Sequence, residues 1–151
     1  MEADEIKPAP RRVLLVDDHP TFRQGLKYIV TKGGEFEVCG EAGNARAAIA
    51  ACRELQPEVV VVDVTLPGIN GIELIKMILA ETPHMPILVV SMHEETHYAL
   101  RALKAGAKGY VMKAEAMPCI ESALHPGRGR KDLRQPDFWG ATDLQSHSGD
   151  R

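Results

Sequence analysis

The sequence predicts a doubly wound α/β domain: a five-stranded parallel sheet covered by helices on both faces. Three observations predict it. Short apolar runs alternate strictly with amphipathic stripes at helical spacing. The links between them are short and rich in Gly, Pro and Asn. Val59–Val62 is four consecutive valines without alternation, the pattern of a strand buried on both faces.

Residues 1–11 carry Pro8 and Pro10 and no periodicity, and read as a flexible tail. Val13–Val16 is the first strand. Pro20 suits the first turn of a helix whose stripe is Phe22, Leu26, Ile29 and Val30, stopped by Gly33-Gly34. Phe36–Ala42 alternates as a second strand. Asn44 is a suitable N-cap for a helix carrying Ala48, Ile49, Cys52 and Leu55, which must end before Pro57. After the third strand, Val59–Val62, residues 65–71 form a loop dense in turn residues. Ile72, Ile75, Met77, Ile78 and Leu79 make the next helix. Pro83 and Pro86 bracket the link to a fourth strand, Ile87–Val90. A helix is expected from Glu94 to Ala105, stopped by Gly106, then a fifth strand over Lys108–Met112. Pro118 opens a last helix with Ile120, Ala123 and Leu124. The pattern fails at His125-Pro126-Gly127. The segment 125–151 has few aliphatics and is expected to be irregular, with Trp139 beside Phe138 as its one apolar focus. The predicted organisation is a tail at 1–11, a domain at 12–124 and a second tail at 125–151.

Composition narrows the function classes. The chain has 151 residues, 44% of them hydrophobic and 26% charged, ordinary for one globular domain. A net charge of -3 offers no electrostatic case for nucleic acid. No apolar run approaches the roughly 20 residues that span a bilayer. Met1-Glu-Ala-Asp-Glu lacks the apolar region of a secretory signal, so a cytoplasmic location is expected. Cys39, Cys52 and Cys119 show no CxxC spacing and read as small buried residues in a reducing compartment. The six histidines show no metal-ligand spacing. His93 and His97 lie at i, i+4 but flank an acidic pair with no third ligand in view.

Four of the predicted strands end in reactive side chains. Val13–Val16 runs into Asp17-Asp18, Val59–Val62 into Asp63, Ile87–Val90 into Ser91, and the fifth strand into Lys113. Open α/β sheets place their chemistry at this carboxyl edge. With strand order 2-1-3-4-5, Asp18 and Asp63 become neighbours about 4.8 Å apart, with Ser91 on the other flank of Asp63. Lys113 then starts about 10 Å away, a gap its stem can largely cover. Three carboxylates this close repel, and a hard divalent cation plus an ammonium relieves them. Such a set suits phosphoryl transfer to a carboxylate. Each element alone has a plainer explanation: an acid pair caps a helix, an Asp forms a turn, a lysine is surface charge. Their coincidence at four strand ends is what favours function.

Over about residues 12–124 the chain resembles the receiver domain of two-component response regulators. The resemblance is carried by Asp17-Asp18, by Asp63-Val-Thr-Leu-Pro-Gly-Ile-Asn-Gly71, by Ser91, and by Gly109-Tyr110-Val111-Met112-Lys113. Cys39-Gly-Glu-Ala-Gly-Asn44 and Ser91-Met-His are most similar to the NarL/FixJ-type subfamily. The resemblance supplies the sheet order 2-1-3-4-5, that of flavodoxin-like and CheY-like proteins. It implies that Asp63 accepts a phosphoryl group from a phosphohistidine on a sensor histidine kinase. It implies Mg²⁺ held by Asp17, Asp18, Asp63 and the backbone carbonyl of Thr65. Ser91 and Lys113 would grip the phosphoryl group, and Tyr110 would be the switch aromatic that turns inward as Ser91 moves. The resulting two-state change would control an output, transcription in the parent family, with homodimerisation on phosphorylation possible. Such a domain catalyses its own phosphorylation and turns over no free substrate.

The chain departs from that pattern in two places. Ala114 stands where many receivers carry Pro, a change the NarL type tolerates. The 27 residues after Leu124 show no helix-turn-helix pattern, so no DNA binding is expected of this chain alone. Three other readings compete. A haloacid-dehalogenase-type phosphatase needs a second Asp two positions after the first, where Thr65 stands. A truncated DNA-binding regulator lacks support in the tail. A phosphorylation-silent interaction module is disfavoured by the intact acid, hydroxyl and lysine set.

Overall fold

A computed structural model describes residues 9–64, 66, 68–91, 96–113 and 124. Its five strands are β1 (Arg11–Val16), β2 (Phe36–Ala42), β3 (Val59–Asp63), β4 (Ile87–Ser91) and β5 (Gly109–Met112). They pair in parallel in the order β2-β1-β3-β4-β5. Four helices are described: α1 (Pro20–Thr31), α2 (Ala45–Leu55), α3 (Gly71–Glu81) and α4 (Thr96–Ala105). From β1 the chain steps one way to β2, then the other way to β3, β4 and β5. Right-handed crossovers therefore put α1 on the face opposite α2, α3 and α4. In agreement, α3 packs against both α2 and α4, and α1 lies on β1 and β2.

The central strands are buried as their unbroken apolar runs predict. Val13–Val16, Val60–Val62 and Ile87–Val90 are all nearly solvent-free. Each such aliphatic contributes about 1.5–3 kcal/mol through burial. Leu26 and Val30 from α1, Ala48 and Ile49 from α2, and Ile75 and Ile78 from α3 close the two outer layers. Leu124, placed by its periodicity on the apolar face of the last helix, joins this core. The expected helix start at Glu94 and the other residues of the helix opened by Pro118 lie outside the described residues, as does the segment 125–151.

Local chemistry sets the element ends. Asn44 caps α2 as predicted, its side chain accepting from Ala47 N at 2.8 Å. Asn70, read from sequence only as a loop residue, caps α3 in the same way through Glu73 N at 3.0 Å, so α3 begins at Gly71. The Asn-x-x-Glu spacing carried that signal. Gly106 stops α4 in a Schellman arrangement at φ +118, with Ala107 N donating to Ala102 O and Gly106 N to Leu103 O. The guanidinium of Arg12 donates to the α2 carbonyls of Leu55 and Gln56, a strand cation closing a helix C-terminus. β1 starts at Arg11, inside the segment expected to be tail, because Arg11 N donates to Glu35 O and Arg11 pairs with Phe36. β5 starts at Gly109, one residue later than predicted. Cys39 and Cys52 are free but only partly buried. Burial, with help from Glu81, pushes the Cys52 thiol up to about 11, so it stays protonated.

Glu41 ties the edge strand β2 to α1, accepting from Arg23 Nε at 2.9 Å and pairing with Lys27 Nζ at 3.2 Å. Burial alone would raise its pKa, but the hydrogen bonds from Lys27 and Arg23 outweigh burial and hold it below the ordinary value. A depressed folded pKa contributes stability above the unfolded value, near 4.3, and that stability is lost as pH falls through the folded pKa. At this partly exposed site the pair is worth about 0.5–1 kcal/mol. Glu41→Gln should therefore melt below the unsubstituted protein at neutral pH. The gap should close on acidification below about pH 4, read by thermal scans across pH.

Candidate functional site

The sheet register brings the chemistry together. Val16 pairs with Val62, so Asp17 and Asp63 leave their adjacent strands at the same level. This corrects the expectation that Asp18 is the strand-level neighbour of Asp63. β1 ends at Val16, Asp17 continues its line by donating its N–H to Ala42 O, and Asp18 turns outward to become exposed. Asp63 pairs with Val90 and Ser91 with Met112, which sets Ser91 one step and Lys113 two steps beyond Asp63. This edge lies at the reversal of strand order between β1 and β3, the switch point where doubly wound sheets bind ligands.

Asp17 and Asp63 are almost wholly buried, and Lys113 is 8% exposed. The Lys113 stem does cover the gap: Nζ lies 3.1 Å from Asp63 Oδ2 and 2.9 Å from Asp17 Oδ2. Its ammonium also rests 4.4 Å from the centre of the Phe22 ring on α1, a cation–π contact. Arg23 donates to the carbonyl of Asp17 and so fixes the loop after β1 from α1. Ser91 is fully buried and Tyr110 is buried on β5. Thr65, whose carbonyl the resemblance makes a metal ligand, lies outside the described residues.

His19 joins this cluster, and sequence reasoning missed it. It occupies the N-cap position of α1 yet makes no side-chain cap bond. Its ring Nδ1 lies 3.0 Å from Asp17 Oδ1, 3.2 Å from Asp18 Oδ1 and 3.5 Å from Asp63 Oδ2. A search for paired histidines at ligand spacing could not find it. The available signal was its place directly after an acid pair at a strand end.

Asp17, Asp18, His19 and Asp63 each present one donor atom, all within 4.8 Å of one another. At that separation two buried carboxylates such as Asp17 and Asp63 repel by roughly 3 kcal/mol. Asp17 Oδ2 faces the Lys113 ammonium but lies out of line for a hydrogen bond, and has no other hydrogen-bond partner. A buried charged oxygen without a directed donor, among further carboxylate oxygens, fits a hard divalent cation.

The fold and site define a class: a doubly wound α/β domain whose switch point holds an acid cluster and a lysine. The comparisons with known proteins give the family. Residues 13–125 match the family model described as the response regulator receiver domain. The chain is 44% identical over 115 residues to the chemotaxis protein CheY of Thermotoga maritima, covering 76% of this chain and 95% of that one. It is 33% identical over 116 residues to the nitrate/nitrite response regulator protein NarL of Escherichia coli K12, covering 77% of this chain and 54% of that one. Among solved structures it resembles the signal receiver domain of the putative response regulator NarL from Mycobacterium tuberculosis. There the TM-score is 0.73 at 30% identity, over 78% of this chain and 94% of that one. The chain thus spans about half the length of regulators such as NarL.

The chain belongs to the response regulator receiver family of two-component systems. Phosphorylation and control of an output are typical of that family. Among the described residues no helix is long and apolar enough to cross a membrane.

Proposed function

We propose that Asp63 is the phosphoacceptor of a Mg²⁺-dependent phosphorelay in the cytoplasm, receiving its phosphoryl group from a phosphohistidine on a sensor histidine kinase. The observation that carries this reading is the buried Asp63 at the end of β3, its Oδ2 3.1 Å from the Lys113 ammonium and its carboxylate beside that of Asp17. A carboxylate is a competent phosphoryl acceptor when neighbouring positive charge offsets repulsion from the incoming group. An Asp63 oxygen forms the new P–O bond as the donor P–N bond breaks and its electron pair returns to the donor imidazole.

Asp17, Asp18, Asp63 and the Thr65 carbonyl would hold Mg²⁺, which supplies charge neutralisation on the transferring group. The chain's own residues do the rest. Lys113 is already held in the site by the carboxylates and Phe22, so its ammonium takes up charge on the phosphoryl oxygens. Ser91 is fully buried one step beyond Asp63 on the neighbouring strand, where its hydroxyl would donate to a phosphoryl oxygen. Tyr110 lies buried on the strand next to that of Ser91, which supports a role for it as the aromatic coupled to Ser91. The Ser91–Tyr110 pair is then the two-state element that converts charge at Asp63 into a changed outer surface, used for an output partner or a second copy of the chain. The reaction is a single self-modification and not turnover of a free substrate.

The test is incubation with acetyl phosphate and Mg²⁺. One phosphoryl group per chain should appear by intact mass, stable in mild acid, labile in base, and lost when a chelator is present. A protein that stays unmodified, or gains a base-stable phosphate, overturns the reading.

A further inference from the structure

We propose that His19 is a gate residue for phosphoryl transfer at Asp63: its ring stands in the mouth of the site and sets how long an aspartyl phosphate survives, by keeping out the water that would hydrolyse it. The inference deepens the reading of Asp63 as acceptor and rests on it. It starts from burial. Asp63 is 1% exposed, and Asp17, Ser91 and Lys113 around it are buried as well. Among the described residues of the cluster only Asp18 and His19 open to solvent, with 36% and 48% of their side chains exposed. Among those residues, the way in from solvent to the Asp63 carboxylate therefore passes these two. The carboxylate of Asp18 is assigned above to the cation, which leaves the His19 ring as the group that covers the opening.

The ring is close enough to act. Its Nδ1 lies 3.5 Å from Asp63 Oδ2 and 3.1 Å from the Lys113 ammonium, so it rests on the floor of the site. A phosphorus bonded to an Asp63 oxygen carries three more oxygens outward, into the space beside that nitrogen, and the ring must lift to admit them. It is free to lift. His19 sits at the start of α1 without a side-chain capping bond, and the helix start is held by backbone groups, Arg23 N donating to His19 O at 3.0 Å and His19 N to Asp17 Oδ1 at 2.7 Å. The lifted ring lies over the phosphoryl group on the side away from Asp63, which is where hydrolysis begins. Water attacks phosphorus in line with the leaving oxygen. The water oxygen forms the new P–O bond, the bond to the Asp63 oxygen breaks, its electron pair returns to the carboxylate, and a water proton passes to solvent as inorganic phosphate leaves. A ring across that line excludes the attacking water. The same ring stands in the path of the donor, so it slows entry as well as loss.

Intact-mass measurement on the whole chain tests this, reading uptake from acetyl phosphate at saturating Mg²⁺ and then loss after the donor is removed. His19 is half exposed and its side chain caps nothing, so its substitution should leave the circular dichroism spectrum intact. His19→Ala should lose its phosphoryl group about 10-fold faster than the unsubstituted protein and take it up at least as fast. His19→Phe keeps a ring without the nitrogens and should lose the group within about 2-fold of the unsubstituted rate. Damage to the site would slow uptake, so a rise in both rates separates an opened gate from a disturbed structure. Slower uptake or unchanged loss in His19→Ala overturns the gate, as does loss from His19→Phe as fast as from His19→Ala, or a difference that vanishes as Mg²⁺ is raised to saturation. An adduct that still forms when Asp63→Asn is combined with His19→Ala overturns instead the acceptor reading beneath it.

Discussion

Asp63→Asn should yield no phosphoryl adduct with acetyl phosphate and Mg²⁺, a complete loss against about one group per chain for the unsubstituted protein. An amide oxygen is a poor nucleophile toward phosphorus and offers no anionic acceptor. The substitution should not unfold the domain. Asn has nearly the same shape, Lys113 keeps Asp17 at 2.9 Å, and the repulsion between Asp17 and Asp63 disappears. Intact mass after incubation, read beside a thermal melt, separates the two effects. The expected pattern is no added mass with a melting temperature at or above that of the unsubstituted protein. A persistent base-labile adduct would place the acceptor on another carboxylate.

Gly71→Ala should be strongly damaging for the addition of a single methyl group. Gly71 N donates to Val64 O at 2.9 Å and closes the loop between β3 and α3. A Cβ at Gly71 would stand 2.5 Å from the Asp63 carbonyl oxygen and 2.6 Å from Val64 Cα. Both obstacles are backbone, so no side chain can swing aside, and the strand end carrying Asp63 must move. Overpacking of this kind costs about 1–3 kcal/mol. For a domain of this size that lowers the melting temperature by roughly 5–10 °C. The displacement falls on Asp63, the proposed acceptor, so phosphoryl uptake should slow more than stability alone accounts for. Melting and phosphorylation rate, measured on the same preparation below the transition, check it. A variant that melts and reacts like the parent would overturn the tight closure at Gly71.

The strands were legible because they are runs of β-branched residues with nothing else to do but pack. The burial of Val60–Val62 follows from the unbroken valine run alone. Strand order was not legible that way. Parallel neighbours are related by crossovers whose direction leaves no mark on periodicity, and the order came from the resemblance. Asp63 and Lys113 were found because each follows directly on an apolar run. His19 and Arg12 were missed for the opposite reason. Arg12 serves the carbonyls of Leu55 and Gln56, 43 and 44 positions away, and His19 meets Lys113 94 positions away; the only local trace of either is the place of His19 directly after Asp17-Asp18. The closure at Gly71 is equally silent in sequence, since nothing distinguishes a glycine required by close approach from one required by a turn.

The seat of Lys113 against Phe22 has a kinetic consequence. A free lysine loses up to about 2 kcal/mol of rotamer freedom when it is fixed on an anion. Here the ring of α1 and the carboxylates of β1 and β3 already hold the ammonium, so that ordering cost is met during folding. A phosphoryl group arriving at Asp63, as proposed, would meet a cation already standing in place, and the rate of charge capture would be governed by the donor's approach and not by a search of the lysine's own conformations.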